Sequence, residues 1–289
     1  ANTQTLAKVL QANGYATADF GKWGLGGIGT DGIPLKQGFD IFYGYNCQSL
    51  AHNYYPDHLW NNNDRVELPN TTKDSVYAAD LFHEKAMGFI NQKHQKPFFL
   101  FLSYTLPHAG LNLPRDSVYW NYVKQFNEAP LLQKSGAKQY ESGPFEPYPH
   151  AAYAAMVARL DKYVGEIKAT LIKQGMDENT LFIFTSDNGP HTEGGNDPEF
   201  FNSNSIYRGK KRDLYEGGIH IPFIASWKGK IQPNSISNHI SAIWDLFPTF
   251  LEVASIKQQI STDGISILPS FLHKTKQQKQ HEYLYWEFH

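Results

Sequence analysis

The chain has 289 residues, 26 basic and 28 acidic side chains, a formal charge of −2, 15% aromatic residues and a single cysteine. That length can bury a large core, while the near-neutral balance gives no polyanion-binding field and no reason to invoke nucleic acid. Cys47 alone excludes an intrachain disulfide and a thiolate metal cluster, and no apolar run reaches the ~18 residues of a membrane span.

Residues 3–13 place Leu6, Val9 and Leu10 on one face of a short amphipathic helix stopped by Gly14. Residues 15–20 read as a strand that delivers GKWGLGGIG (21–29) to a loop. Such a loop either cradles an anion on backbone amides, with Lys22 adding charge, or is simply flexible. It has the spacing of neither the dinucleotide fingerprint nor the P-loop. Residues 39–43 are a further candidate strand, leading into the polar, aromatic loop NCQSLAHNYYPDHLWNNN (46–63). Loops of that length are usually functional, so His52 and His58 are candidates for lining a cleft. Val76, Ala79, Phe82, Ala86, Phe89 and Ile90 recur at helical spacing over 74–93, with Thr72 or Asp74 as cap.

FFLFLS (98–103) is a continuously apolar strand of the kind buried on both faces, and Pro107–His108 lies just past its end. Residues 111–149, with five prolines from Pro114 to Pro149, read as a long surface excursion. Residues 151–173 form the longest helix, with Tyr153, Met156, Val157, Leu160, Val164, Ile167 and Leu171 in one stripe and Gly175 as the stop. A second apolar strand, LFIFT (181–185), comes directly after it, which is the crossover unit of a largely parallel sheet. It ends in Asp187–Asn188–Gly189, at the sheet edge where open α/β folds place ligands. DNG reads either as an ordinary turn or as half of a hard-cation site, since calcium and magnesium take carboxylate and amide oxygens. The loop 191–218 carries Arg208, Lys210, Lys211 and Arg212, merely solvated or set to neutralise an oxyanion. A strand at 219–225, a short helix at 238–254 and a strand at 282–288 complete the pattern. One domain is expected over 1–255, with the start of a smaller subdomain over 256–289. Both ends read as cuts through a larger fold.

Four segments together resemble the sulfatase family of the alkaline-phosphatase-like superfamily. GYATADFGKWGLG resembles its GY-x-T-x-x-x-GKW-x-LG segment, and PFFLFLSYTLPHAG its PFF…PH segment. TLFIFTSDNGPH resembles its metal-binding TSDNG, and GKKRDLYEGGIHIP its GK-x-x-x-YEGG-x-x-x-P stretch. The resemblance runs over nearly the whole chain and implies a three-layer α/β/α sandwich around a largely parallel mixed sheet. It implies that Asp187 and Asn188 ligate calcium, that Lys22 binds a sulfate oxygen, and that His108 faces the substrate. Lys211 would contact both the sulfate and the nucleophile region. Family members hydrolyse sulfate esters with a formylglycine made from a Cys or Ser in a C/S-x-P-x-R motif, and a histidine helps the hemiacetal collapse. The implied substrate is a sulfated small molecule or glycan, and the implied compartment periplasmic, secreted or lysosome-like; oligomeric state is not indicated.

Three departures from the family pattern stand out. Cys47 sits in CQSLA, without the Pro and Arg, and after rather than before the GKW segment, so formylglycine is not encoded here. The acidic pair that opens the family's first strand is not in the sequence, so a two-ligand site should hold calcium weakly. Gly24 stands where many members have a histidine, which leaves His52 or His191 as replacements and Arg208 as a further substrate-side candidate. Two alternatives stay open: a sulfatase-like fragment that binds anions without turnover, and a phosphoesterase of the same superfamily.

Overall fold

The first helix is opened by Thr5, whose hydroxyl accepts the Lys8 N–H at 3.3 Å. Helix α1 (Leu6–Ala12) buries Ala7, Val9 and Leu10, and Gly14 then turns the chain at φ 86°. The computed structural model describes residues 4–71, 75–132, 145–258 and 260–288, so the expected caps Thr72 and Asp74 lie outside the described residues. By contacts the chain divides into two units, residues 1–170 with 190–205, and residues 171–189 with 206–289.

In the first unit, strand β1 (Ala16–Lys22) runs two residues past the expected 15–20, so Lys22 ends a strand rather than lying in a loop. It is followed by β2 (Ile41–Tyr45), β3 (His58–Asn61) and β4 (Asp64–Glu67). Helix α2 (Ala78–Ile90), strand β5 (Phe98–Ser103), and helices α3 (Ser117–Phe126), α4 (Pro149–Lys173) and α5 (Pro198–Phe201) complete the order. The sheet order is β4-β3-β2-β1-β5. β1 is parallel to both β2 and β5, with Lys22 opposite Tyr45 and Gly21 opposite Ser103. β3 and β4 add antiparallel, so the sheet is mixed.

Alternation along these strands supplies both faces of the sheet. Ala18, Phe20, Tyr43 and Tyr45 pack with Ala78, Phe82, Ala86 and Phe89 of α2. Phe42 packs instead with Ala7 of α1, Trp23 and Phe39. Helices therefore cover both sides of a mostly parallel sheet, the three-layer α/β/α class that the family resemblance implies.

Several expectations are corrected. The 46–63 stretch is not one loop, because β3 pairs with β4 across Asn62, whose φ of 57° makes the turn. The 111–149 stretch is not a surface excursion throughout. Leu111, Leu113 and Tyr119 are buried with Tyr54, Tyr77 and Met156, and Asp116 caps α3 by accepting from Val118 and Tyr119 N–H. Glu128 accepts the His150 and Ala151 N–H groups at 3.0 and 2.9 Å, which ties this stretch to the start of α4. β5 is not buried on both faces, since Phe101 is 47% exposed.

In the second unit, β6 (Phe182–Thr185) pairs antiparallel with β7 (Phe223–Ser226), Thr185 opposite Phe223. The expected strand at 219–225 starts late because Glu216–Ile219 forms a helical turn, α6, and Pro222 has no N–H for a ladder. The helix expected from 238 begins at Leu246 (α7, Leu246–Val253), and α8 (Leu268–Phe271) comes after it. Asp245 is fully buried at the start of α7, where it accepts from Ala242 N, Ile265 N and His281 Nε2 at 2.7–2.8 Å. No strand forms at 282–288 among the described residues; Tyr283 and Tyr285 are exposed instead. No helix of the described residues is long and apolar enough to cross a membrane.

Two glycines set how closely the parallel strands lie. A Cβ on Gly44 would overlap the carbonyl oxygen of Gly21, and one on Gly21 (φ 139°) would overlap that of Ser103. Gly44→Ala is expected to lose about 1–3 kcal/mol or more by overpacking against backbone. Gly88→Ala, on α2 with open space around it, is expected to be neutral or to gain up to about 1 kcal/mol. Urea unfolding of the two variants checks both; equal stabilities would contradict the close approach.

Candidate functional site

Parallel strands β2, β1 and β5 are neighbours, so the residues just past their ends emerge along one carboxyl edge of the sheet. β1 ends in Lys22, which is half-buried. β2 leads into Asn46, Cys47, Gln48 and the short turn Leu50–His52. β5 leads into the turn that carries His108, with cis peptides at Leu106–Pro107 and Ala109–Gly110.

That turn is fixed from below by Tyr54. Its fully buried hydroxyl lies 2.9 Å from Thr105 O and 3.0 Å from His108 O, and burial pushes the phenol well up, which keeps it a donor. His108 Nδ1 lies 2.7 Å from Ala109 O, so Nδ1–H donates and Nε2 is the basic nitrogen of the neutral ring. The His52 ring meets it edge-on at 4.8 Å between centroids, and the His191 ring lies 6.0 Å away. His191 is buried, accepts Glu193 N–H on Nδ1 at 3.1 Å and donates from Nε2 to Pro107 O at 2.9 Å. Both its nitrogens are thus engaged by backbone, and the ring braces the His108 turn. The structure brings His52, His108 and His191 together. His58 lies elsewhere, on β3, where its Nδ1 bonds Asp57 at 2.7 Å. Cys47 is exposed and its sulfur accepts the Leu50 N–H at 3.4 Å.

In the second unit, the glycines of DNG and YEGG meet backbone to backbone. Gly189 N–H donates to Gly218 O at 2.9 Å, and Gly217 N–H to Arg208 O at 2.7 Å. A Cβ on Gly189 would overlap Gly217 O, and one on Gly217 would overlap Gly209 O. This packing holds the 187–189 turn beside the 208–213 loop. Arg208 stacks its guanidinium 4.1 Å above the Tyr215 ring, and Lys211 is half-buried next to Arg212, whose φ is 79°. Asp187 is exposed. Asn188 donates its amide N–H to Gly189 O at 2.8 Å, so its amide oxygen is the atom presented to a cation. These oxygens match calcium in kind, but a carboxylate and one amide offer at most three of the about six to eight that calcium takes. Among the described residues no group of three or more His, Cys, Asp or Glu could hold a metal ion.

Three polar residues escaped the sequence reading. Asp19, in the middle of β1, is fully buried; its Oδ1 accepts the Ser103 hydroxyl at 2.8 Å and its Oδ2 has no partner. Only the acid's position inside an apolar strand could have flagged it. Asn46 is buried with neither amide atom partnered, and the Gln48 carboxamide occupies the space beside Gly24.

Residues 1–256 match the family described as Sulfatase. The chain is similar to the uncharacterized sulfatase YdeN of Escherichia coli K12, with 31% identity over 97% of this chain and 49% of the relative. It is also similar to an arylsulfatase of Hemicentrotus pulcherrimus, with 32% identity over 85% of this chain and 41% of the relative. Among solved structures it resembles Ps i-CgsB in complex with k-i-k-neocarrahexaose, at a TM-score of 0.72 and 27% identity over 93% of this chain and 58% of that one. The chain spans about half the length of the curated relatives it matches.

Burial pushes the Asp19 carboxyl up from 3.8 to about 7, against the lowering effect of the Ser103 hydroxyl. Between those values the folded chain holds a proton that the unfolded chain has lost, so stability falls as pH rises from about 4 to about 7 and then levels. Asp19→Asn is expected to remove that fall, making the variant more stable than the parent near pH 8, by about 4 kcal/mol at most. Urea unfolding at about pH 4 and about pH 8 checks this; identical pH profiles for parent and variant would contradict it.

Proposed function

We infer, since this chain belongs to the sulfatase family, that the carboxyl edge of β2, β1 and β5 binds the sulfate group of a sulfate ester. The observation that carries this reading is the placement of Lys22 at the end of β1, between the strand ends that lead to His52 and His108. The Lys22 ammonium offers up to three donors to the oxygens of a tetrahedral anion. His108, oriented through Nδ1–H to Ala109 O, holds Nε2 as a site for a proton in transit, with His52 against its face. His191 sets the turn that carries His108. In the second unit, Arg208 and Lys211 present positive charge to anionic oxygens, and Asp187 with the Asn188 amide oxygen contributes two ligands to calcium. In the family, formylglycine supplies the nucleophile and calcium stabilises charge on the sulfate oxygens. A sulfated glycan or small molecule is the substrate class, supported by the complex of Ps i-CgsB with k-i-k-neocarrahexaose. The family's compartments, periplasmic, secreted or lysosome-like, go with that substrate class.

A second reading, anion binding without turnover by these 289 residues, is favoured by two observations. Ser49 and Ala51 stand where a C-x-P-x-R motif at Cys47 would need Pro and Arg, and the side chains of Asp187 and Asn188 give calcium at most three of its about six to eight oxygens.

Titration calorimetry with phenyl sulfate tests the binding edge. Lys22→Ala is expected to weaken binding at least about tenfold, the equivalent of ~1.4 kcal/mol; unchanged affinity would remove the edge as the sulfate site. Calcium titration of the parent and Asp187→Ala should give weak binding that the variant loses. Release of phenol from phenyl sulfate, with phenyl phosphate in parallel, separates turnover from binding alone and sulfatase from phosphoesterase.

A further inference from the structure

Asn46 is the first residue past β2, next to the end of β1; the Trp23 N–H donates to Tyr45 O at 2.9 Å immediately beside it. It is only 6% exposed, yet neither its amide nitrogen nor its amide oxygen has a partner. A buried polar atom left unbonded costs about 1–3 kcal/mol, so two on one side chain call for partners, ordered water in the free chain or the polar atoms of a ligand that displaces it. Two residues on, the exposed Gln48 places its carboxamide beside Gly24, two residues past the end of β1. A Cβ on Gly24 would overlap the Gln48 Nε2 atom, with the Gln48 side-chain carbon Cδ 3.1 Å away. Residue 24 can therefore be only glycine while Gln48 holds this position, and the place two residues past Lys22 is filled by a carboxamide from the neighbouring strand's turn.

We propose that Asn46 and Gln48 form a carboxamide subsite beside Lys22 that donates N–H groups to the oxygens of a sulfate-type oxyanion. The subsite rests on the reading of this edge as a sulfate-ester site and names further residues that bind there. Neutral amides suit the task. Each donates two hydrogens without bringing another charge out of water, and beside one lysine they add directional bonds that a point charge lacks. A sulfate oxygen accepts but cannot donate, so the amide nitrogens face it and the amide oxygens face the hydroxyls of the group esterified to it. Asn46, held in the sheet edge, provides the fixed donor. Gln48, on the open side, provides the adjustable one.

The test uses the full chain with inorganic sulfate and phenyl sulfate as separate probes. Gln48→Glu keeps the shape and replaces an N–H donor with a negative oxygen; it is expected to weaken binding of both probes at least tenfold. Gln48→Ala should weaken it three- to tenfold, and Asn46→Asp at least tenfold. Gln48 is exposed, so its variants should fold whatever becomes of the Asn46 variant, and thermal unfolding verifies that. In 15N-labelled protein the side-chain amide signals of Asn46 and Gln48 should move on adding sulfate and stay in place on adding phenol. If phenyl sulfate binds and depends on Lys22, but the Gln48 variants bind equally well and the amide signals are still, the carboxamide subsite is wrong and the sulfate edge stands. If neither probe binds the parent chain, both are wrong. Loss confined to phenyl sulfate, with inorganic sulfate unaffected, also overturns the proposal, because the amides would then be reading the esterified group alone.

Discussion

The close backbone approach of β2, β1 and β5 is the constraint on which the rest of the first unit depends. Gly44 faces the Gly21 carbonyl and Gly21 faces that of Ser103, with no room for a side chain at either glycine. Because three parallel strands meet this tightly near their carboxyl ends, the residues just past each strand emerge at the same edge. Lys22, Asn46 and the turn bearing His108 therefore follow the ends of neighbouring strands along that edge, although 62 residues of sequence separate Asn46 from His108. The second unit uses glycine in the same way. Gly189, Gly217 and Gly218 pack against carbonyl oxygens, so the motif glycines act through backbone contact rather than through flexibility.

The elements legible in the sequence were those with a strong local signal. The apolar run at 98–103 gives β5 residue for residue, and the stripe from Tyr153 to Leu171 gives α4 with its end near Gly175. The elements that were misread depend on partners distant in sequence or on turn chemistry. β3 and β4 are four residues each, and Asn62 makes their turn while its side-chain oxygen accepts the Phe42 N–H at 2.9 Å. That tertiary bond is invisible in a string of asparagines. The aromatic run at 282–288 has β propensity, but propensity forms a strand only where a neighbouring strand offers a ladder. Asp19, an acid flanked by Ala18 and Phe20 in an apolar strand, carries that position as its one signal, and its burial and its bond to Ser103 depend on a strand distant in sequence.

The candidate site divides along similar lines. Lys22, His108, Asp187 and Asn188 are candidates in the sequence because they lie at or past strand ends, where α/β folds bind ligands, and the structure shows that placement. The contact of His52 with His108 was not legible, nor was the bracing role of His191, because each depends on loop geometry. Gln48 was the least visible. Its meaning comes from Gly24, a departure that looked like the loss of a side chain and is, in three dimensions, the space taken by another one. On the reading proposed above, the edge combines one lysine, two carboxamides and a histidine pair, a set of donors suited to an oxyanion with a proton-transfer partner at hand.

Selenate has the shape and charge of sulfate and scatters X-rays anomalously, so it reports directly where this chain places such an anion. Crystals soaked in selenate should show an anomalous peak within hydrogen-bonding distance of Lys22 Nζ and of an amide nitrogen of Asn46 or Gln48. Peaks confined to other lysines and arginines, with the edge of β2, β1 and β5 empty at saturating selenate, would contradict the account.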